Sequence, residues 1–427
     1  MLDRVEAIGW QGDVMTTRPA RFALIAAATL AGAAAAAARP DPAVMAAATA
    51  ARGAQLALLE RVVNIDSGTG DAAGAAKVMA VLIPELKAVG ATIRIVPAEV
   101  AGLGDNLVAQ VTGRGKGRIL IISHIDTVFP AGNAAAWPYR QDDRRAYGPG
   151  VSDEKGGVVQ AVTALKLLHQ LKQTDYASIT LLIETSEETG SPGTRALIDT
   201  LVRAADVELN MEPGDAPDAV TVWRKGSATI RLTVHGRAAH AGVDPQNGRN
   251  AAAELVNQIH ILDQFPRSGD GLTANLTTLN AGDRVNVIPD RATADINVRV
   301  RTPDQFDQVM RAFQAGAGRT SIAETKVDVT TTPSFPPLTI NKATDALAAR
   351  AKAIYADLGM TLTMAGNGGA SESALAAQAG TPTLDGLGPV GGGFHSVREY
   401  LELSTVTPRL YLLTKLLIQL GKNPPAR

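Results

Sequence analysis

The sequence predicts an α/β sandwich, a mostly parallel sheet covered by helices on both faces, carrying an inserted ferredoxin-like α+β domain. Three observations predict it. From about residue 50 helix-period and strand-like segments alternate, the pattern of a layered α/β fold. Strand-like runs such as "RILII", residues 118–122, are apolar at every second and every intervening position, which suits a sheet buried on both faces. Near residue 221 the character changes to four strands and two helices in β-α-β-β-α-β order, the plan of a small separate domain.

The elements follow in order. Residues 1–39 read as a secretory signal peptide: Arg18 and Arg21, an apolar stretch from Phe22, then small residues ahead of Pro40. Met15 is a candidate start within it. The mature protein is therefore expected to be exported, periplasmic or secreted, with no stable membrane insertion after cleavage. Residues 40–220 are expected to form the first part of the larger, sandwich domain. "ARGAQLALLERVVNI" and "AAGAAKVMAVLIPELKAVG" have helical spacing, and "TIRIVPAEV", "NLVAQVTG" and "RILIISH" read as strands. "GRGKGR", between the last two, lacks the spacing of a phosphate loop and is expected to be a hairpin turn. "GGVVQAVTALKLLHQL" is a helix, "SITLLIE" and "VELNME" are strands. Residues 221–335 are expected to form the inserted domain, closed by the proline-rich "TTPSFPPL". Residues 336–427 return to the first domain with two more helices, "ATDALAARAKAIYADLG" and "TPRLYLLTKLLIQLG".

Composition narrows the chemistry. The 427 residues hold 41 basic and 42 acidic side chains, a net charge of -1, so nothing points to a nucleic-acid partner. Cysteine is absent, which excludes disulfides, thiolate metal sites and a thiol nucleophile. A bound metal must then be held by His, Asp or Glu.

Such residues gather at strand ends. In "SHIDTVF", His124 and Asp126 lie two apart after an apolar run, so their side chains share a face. "GPGVSDEKGG" puts Asp153 in a glycine-rich loop before a helix, and "LLIETSEETG" puts Glu187 and Glu188 beyond a strand. "LNMEPGD" ends another strand with Glu212, and "GGGFHSVREYLEL" places His395 before the last helix. Singly, each has a plain structural reading: a turn-closing pair, a helix cap, solvated acids. Together they place two histidines and several carboxylates where open α/β sheets bind ligands.

"SHIDTVF", "YGPGVSDEKGG", "ETSEETGSPG", "NMEPGD", "GRAAHAG" and "FHSVREYLE" resemble the signature segments of the zinc-dependent M20 metallopeptidase family. The subgroup they are most similar to is glutamate carboxypeptidase. The likeness runs from about residue 50 to the C-terminus. It implies a zinc exopeptidase-like fold and a co-catalytic pair of Zn²⁺ per subunit, acting on a small peptide or N-acyl amino acid. By that resemblance Asp153 bridges the two ions, His124 and Glu212 complete one site, and Glu188 and His395 the other. Asp126 orients His124 from behind, as metal-ligating histidines require. The ligand types suit Zn²⁺, and a bridging carboxylate tempers the repulsion of two dications about 3.5–4 Å apart.

The reaction implied is cleavage of the amide bond of a C-terminal amino acid by metal-bound hydroxide, with Glu187 as general base. His240, in "GRAAHAG", resembles the histidine that stabilises the oxyanion, reaching into the partner's site in homodimeric members. Asn286 and Arg299, in "VNVIPDRATADINVR", resemble residues that hold the substrate's free carboxylate. "GNGGASES", residues 366–373, departs from the Gly-Gly-Thr-Asp pattern of the subgroup. For the basic residues that hold a glutamate side chain, Arg224 and Lys225 are candidates only by proximity. Two other readings compete: an aminoacylase using the same metals, and a metal- or peptide-binding protein without catalysis. Retention of Glu187 opposes the second. A serine hydrolase needs a G-x-S-x-G elbow, and the sequence has none.

Overall fold

The computed structural model describes residues 39–426, so the expected signal peptide and the Met15 start lie outside the described residues. The first helix, Pro42–Val63, begins where an Asp-Pro pair sets it: Asp41 accepts hydrogen bonds from the amides of Ala43 and Val44, and proline occupies the first turn. Among the described residues no helix is long and apolar enough to cross a membrane.

The principal sheet has six strands, in the order Thr92–Val96, Asn106–Thr112, Ser178–Glu184, Arg118–His124, Val207–Asn210, Thr383–Leu384. The first two junctions are antiparallel and the remaining three parallel. Burial of both faces explains the continuous apolar runs. Ile119 and Ile121 pack with helices Pro42–Val63, Lys155–Gln170 and Val406–Lys422. Leu120 and Ile122, on the opposite face, pack with Ile198 and Val202 of helix Arg195–Ala204. Successive residues face opposite layers, as the strand period dictates.

One expectation fails here. "GRGKGR" is not a hairpin turn, because strand Ser178–Glu184 lies between the two strands it joins. The glycine-rich segment does reverse the chain, but pairing is decided by a strand far along the sequence. Gly115 shows the tie: a Cβ there would meet the Asp175 backbone at 2.2 Å.

The inserted region carries a separate four-stranded antiparallel sheet, ordered Thr273–Ala281, Arg291–Val300, Gly226–His235, Lys326–Pro333. Helices Ala251–Ile259 and Pro303–Ala317 cover one face, and Ile230, Leu232, Ile296, Val298 and Phe313 lie in its own core. This is the ferredoxin-like arrangement. The strand-like run that begins the change in character is divided, however. Ala219–Arg224 pairs in parallel with Thr363–Asn367, from beyond the insertion, and the four-stranded sheet starts at Gly226.

Candidate metal centre

Three carboxyl ends of parallel strands converge. His124 closes strand Arg118–His124, Glu187 and Glu188 follow strand Ser178–Glu184, and Glu212 follows Val207–Asn210. Asp153 arrives from the loop before helix Lys155–Gln170, and His395 from the loop before the last strand and helix. Two donor groups result: His124, Asp153 and Glu212, and Asp153, Glu188 and His395. Asp153 belongs to both. His124 Nε2 is 3.3 Å from Asp153 Oδ1 and 3.5 Å from Glu212 Oε1. His395 Nε2 is 3.3 Å from Asp153 Oδ2 and 3.1 Å from Glu188 Oε2.

These residues fit a pair of cations. His124 is fully buried, and its Nε2 has no hydrogen-bond partner although it faces several carboxylates. A buried polar atom left in that state is costly unless a further group completes it. The donor set, imidazole nitrogens and carboxylate oxygens with one carboxylate shared, has the ligand chemistry that divalent cations such as zinc take. Charge tells the same story. Burial pushes Asp153 upward, but the imidazoles of His124 and His395 beside it overcome this and hold the carboxyl below the usual range. The Asp153 and Glu188 carboxylates in turn raise His395 to about 10. Burial lifts Glu212 to about 7, against the pull of Arg224 and His124. Imidazolium protons thus balance an acid cluster that cations would otherwise balance.

Asp126 lies under this cluster, with a wider task than expected. The nearer acceptor for His124 Nδ1 is the Asp126 carbonyl oxygen, at 3.0 Å, with carboxylate Oδ1 at 3.5 Å. The carboxylate accepts the backbone amides of Glu187 and Glu188, at 3.1 and 3.2 Å, and the Thr69 hydroxyl at 2.6 Å. It therefore fixes the turn carrying both glutamates as well as facing the histidine. Gly190 ends that turn at a φ of 91°, in the left-handed region open to glycine. Glu187 is buried beside His124, 3.9 Å from Nε2, and burial raises its carboxyl well above the usual range.

Sequence reasoning missed several supports. Glu399, buried, accepts the backbone amides of Gly150, Ser152 and Asp153 and so shapes the loop that presents Asp153. Glu154 accepts the Ser123 hydroxyl at 2.7 Å beneath His124. Arg224 is the larger correction. It was a candidate for a substrate side chain, but Nε and Nη2 each reach Asp385 at 2.7 Å, and Nη2 reaches Glu212 Oε2 at 3.2 Å. It steadies Glu212 and is itself clamped. Lys225 donates to the Gly269 carbonyl. The signal for Arg224 was an arginine in an otherwise apolar strand, "AVTVWR", which needs a buried counter-charge.

A cleft of about 540 Å³ opens over the cluster, lined on one side by Asp153, Glu187, Glu188, Glu212 and His395 and on the other by Arg299 and Asn297 of the inserted sheet. His240 and Asn286 do not line it. They lie together in an exposed two-stranded ribbon, where Ala241 donates to the Asn286 carbonyl and His240 Nδ1 accepts the Gly242 and Val243 amides. His235 pairs with Asp328 at 3.0 Å, a structural role.

A model of peptidase family M20/M25/M40 matches residues 120–419. Carboxypeptidase G2 of Pseudomonas sp. (strain RS-16) is 36% identical over 407 residues, 95% of this chain and 98% of that protein. Succinyl-diaminopimelate desuccinylase of Rhodospirillum centenum is 29% identical over 345 residues, covering 75% and 86% of the two chains. Among solved structures, a Staphylococcus aureus tripeptidase superimposes with a TM-score of 0.73 at 20% identity, over 87% of this chain and 99% of that one. Human carnosine dipeptidase 1 gives 0.70 at 18%, over 89% and 98%. Both share the fold. With the paired donor groups at the strand ends and this relationship along most of its length, the chain belongs to peptidase family M20/M25/M40 and is a metallopeptidase, a hydrolase of amide bonds.

Proposed function

We propose that the protein is a two-zinc hydrolase that releases a C-terminal amino acid from a small peptide or an N-acyl amino acid. The observation that carries this reading is Asp153, shared by two donor groups, with Glu187 beside them on the wall of one cleft. A pair of Zn²⁺ ions held by His124, Asp153, Glu212, Glu188 and His395 would supply Lewis acidity, which polarises a carbonyl and acidifies water. The chain's own residues do the rest. Glu187 takes a proton from the attacking water onto its carboxylate and delivers it to the leaving nitrogen, a role that its raised pKa suits. Asp126 keeps that carboxylate in place through the Glu187 amide. Arg299, across the cleft, holds the free carboxylate beyond the scissile amide. Any substrate with an amide next to a free carboxylate meets these demands, so peptides and N-acyl amino acids both qualify.

The oxyanion donor is His240 of a second subunit, with Asn286 beside it at the substrate. Support comes from exposure: both sit outside their own cleft, and the inserted domain presents an edge strand, Thr273–Ala281, with Leu276, Leu279, Val256 and Val285 uncovered. A sheet edge with apolar neighbours is a pairing surface. Export to the periplasm or medium, from the basic and apolar N-terminal stretch, completes the reading.

Elemental analysis of metal-reconstituted protein, paired with a chelator assay on N-acyl amino acids, tests the core. About two equivalents of zinc and chelator-sensitive turnover are expected; one equivalent or none sinks the binuclear reading. Mixing His240→Ala with Glu187→Gln chains tests the subunit exchange. One site of the mixed dimer then carries both defects and the other neither, so about half of a wild-type dimer's activity returns. If His240 serves its own subunit, no activity returns.

A further inference from the structure

We propose that the cleft selects a released amino acid with one carboxylate and a neutral side chain, and discriminates against glutamate and aspartate. This rests on the hydrolytic reading above and adds the substrate class. The argument is an inventory of positive charge around the amino-acid end of the cleft.

Among the described residues lining the cleft, the cationic side chains are Arg224, Arg299 and His395. His395 belongs to the acid cluster. Arg224 is 3% exposed and bound to Asp385 and Glu212, three charge-assisted contacts that leave it committed. Of these, Arg299 remains for a substrate: its Nε donates to Asn297 Oδ1 at 2.9 Å, and its fork of Nη donors is engaged by no other side chain among the described residues. That fork matches one carboxylate.

Cations outside the lining have partners of their own. Lys225, 5% exposed, turns its ammonium to the Gly269 carbonyl, with Asp270 offsetting its charge and Arg299 and Arg301 acting against it. Arg195 holds the Gly190 and Ser334 carbonyls from behind Phe335. Arg301 stacks 3.4 Å over the Trp223 ring. Arg231, farther along the same strand face, is held by Asp295 at 2.6 and 2.8 Å.

The part of this wall that lines the cleft beside Arg299 is neutral and hydrogen-bonding. Ser227 faces Arg299 and Thr229 faces Asn297 across the sheet, and Ser334 and Phe335 continue the surface. Hydroxyls and a carboxamide both donate and accept, so they satisfy a carboxamide or hydroxyl side chain. A second carboxylate would lose its water without gaining a counter-charge, and unpaired buried charge is strongly disfavoured. Sites with mismatched polar groups reject close analogues by large factors.

Glutamine and glutamate are nearly isosteric, which makes them the decisive pair. The metal-reconstituted full-length protein is assayed on N-benzoyl-Gln, -Glu, -Asn, -Asp and -Ala, so that the acyl group is constant. We expect kcat/KM for Gln to exceed that for Glu by about tenfold or more, with Asn over Asp likewise. Thr229→Lys places an ammonium on this wall and should narrow or reverse the gap with zinc content unchanged; Ser227→Lys is the second variant if the first does not fold. Glu cleaved as well as Gln by the wild-type protein overturns the selectivity. An unchanged gap in both folded variants overturns its assignment to this wall. If the zinc-loaded protein cleaves none of the five, the hydrolytic reading falls, and this inference with it.

Discussion

The two donor groups that share Asp153 are built from different materials. One stands on the sheet: His124 is the last residue of a central strand and is fully buried, and Glu212 is latched by Arg224, itself clamped by Asp385. The other stands on loops: Glu188 sits in a single turn, and His395 is 54% exposed at its side chain with a φ of 58°. A side chain on a packed strand has its direction set by the core, whereas one on a loop depends on a few hydrogen bonds. The contrast teaches that the chain holds one half of the centre by packing and the other by local bonds. The sheet half should be the tighter and slower to exchange.

The change expected to matter most removes the residue common to both halves. Asp153→Asn should lose metal from both and reduce turnover by more than any single terminal-ligand variant, as elemental analysis and kcat/KM would register. If it kept two equivalents of zinc, Asp153 would not be the shared ligand. Glu187→Gln comes next. It removes a proton carrier without a donor atom from either group, so kcat should fall by about 10²–10⁴ with both cations retained. Metal loss in that variant would exchange the assigned roles of Glu187 and Glu188.

Arg224 sharpens the comparison, because it touches only the sheet half. Arg224→Lys keeps the charge but loses the forked grip on Asp385, and should weaken metal binding at that half by about 10–100-fold while sparing the other. Equal weakening of both halves in a metal titration would erase the distinction. Arg224→Met goes further, leaving Asp385 and Glu212 as uncompensated buried acids, at a cost of about 3–5 kcal/mol in unfolding free energy. The smallest effect concerns pH at the loop half. His395 in metal-free protein stays protonated up to about 10, and an incoming cation must displace that proton. Its affinity should thus rise between pH 6 and 8, by at most about tenfold per unit, with proton release visible by calorimetry in buffers of different ionisation enthalpy. A pH-independent second binding step would contradict this.

The same division explains what the sequence made legible. Strand ends announce themselves: apolar runs that stop at His124, Glu187 or Glu212 mark one edge of a sheet, and short motifs carry Asp153 and His395. What went unread depends on partners distant in the chain. Arg224 and Asp385 are separated by 161 positions, and Glu399 lies 246 positions from the Asp153 amide it accepts. No periodicity links such pairs, so Glu399 stands in "FHSVREYLE" with nothing nearby in sequence to reveal its task. The supposed hairpin at "GRGKGR" failed for a related reason. Local turn chemistry reports a reversal, while the identity of the neighbouring strand is fixed by burial of both faces across the sheet.

That interposed strand, Ser178–Glu184, also dictates an order of assembly. The strands that flank it, Asn106–Thr112 and Arg118–His124, leave the ribosome first and have no ladder with each other. Until residue 184 is available the middle of the sheet does not exist, and the apolar edge of each flanking strand is bare. Closing so long a loop before these central ladders form makes for slow folding of high contact order, with a long interval of aggregation-prone edges. In such a chain chaperone dependence should be set by synthesis and folding speed more than by final stability. The strand order that brings the donor residues together thereby becomes a constraint on how the protein can be produced.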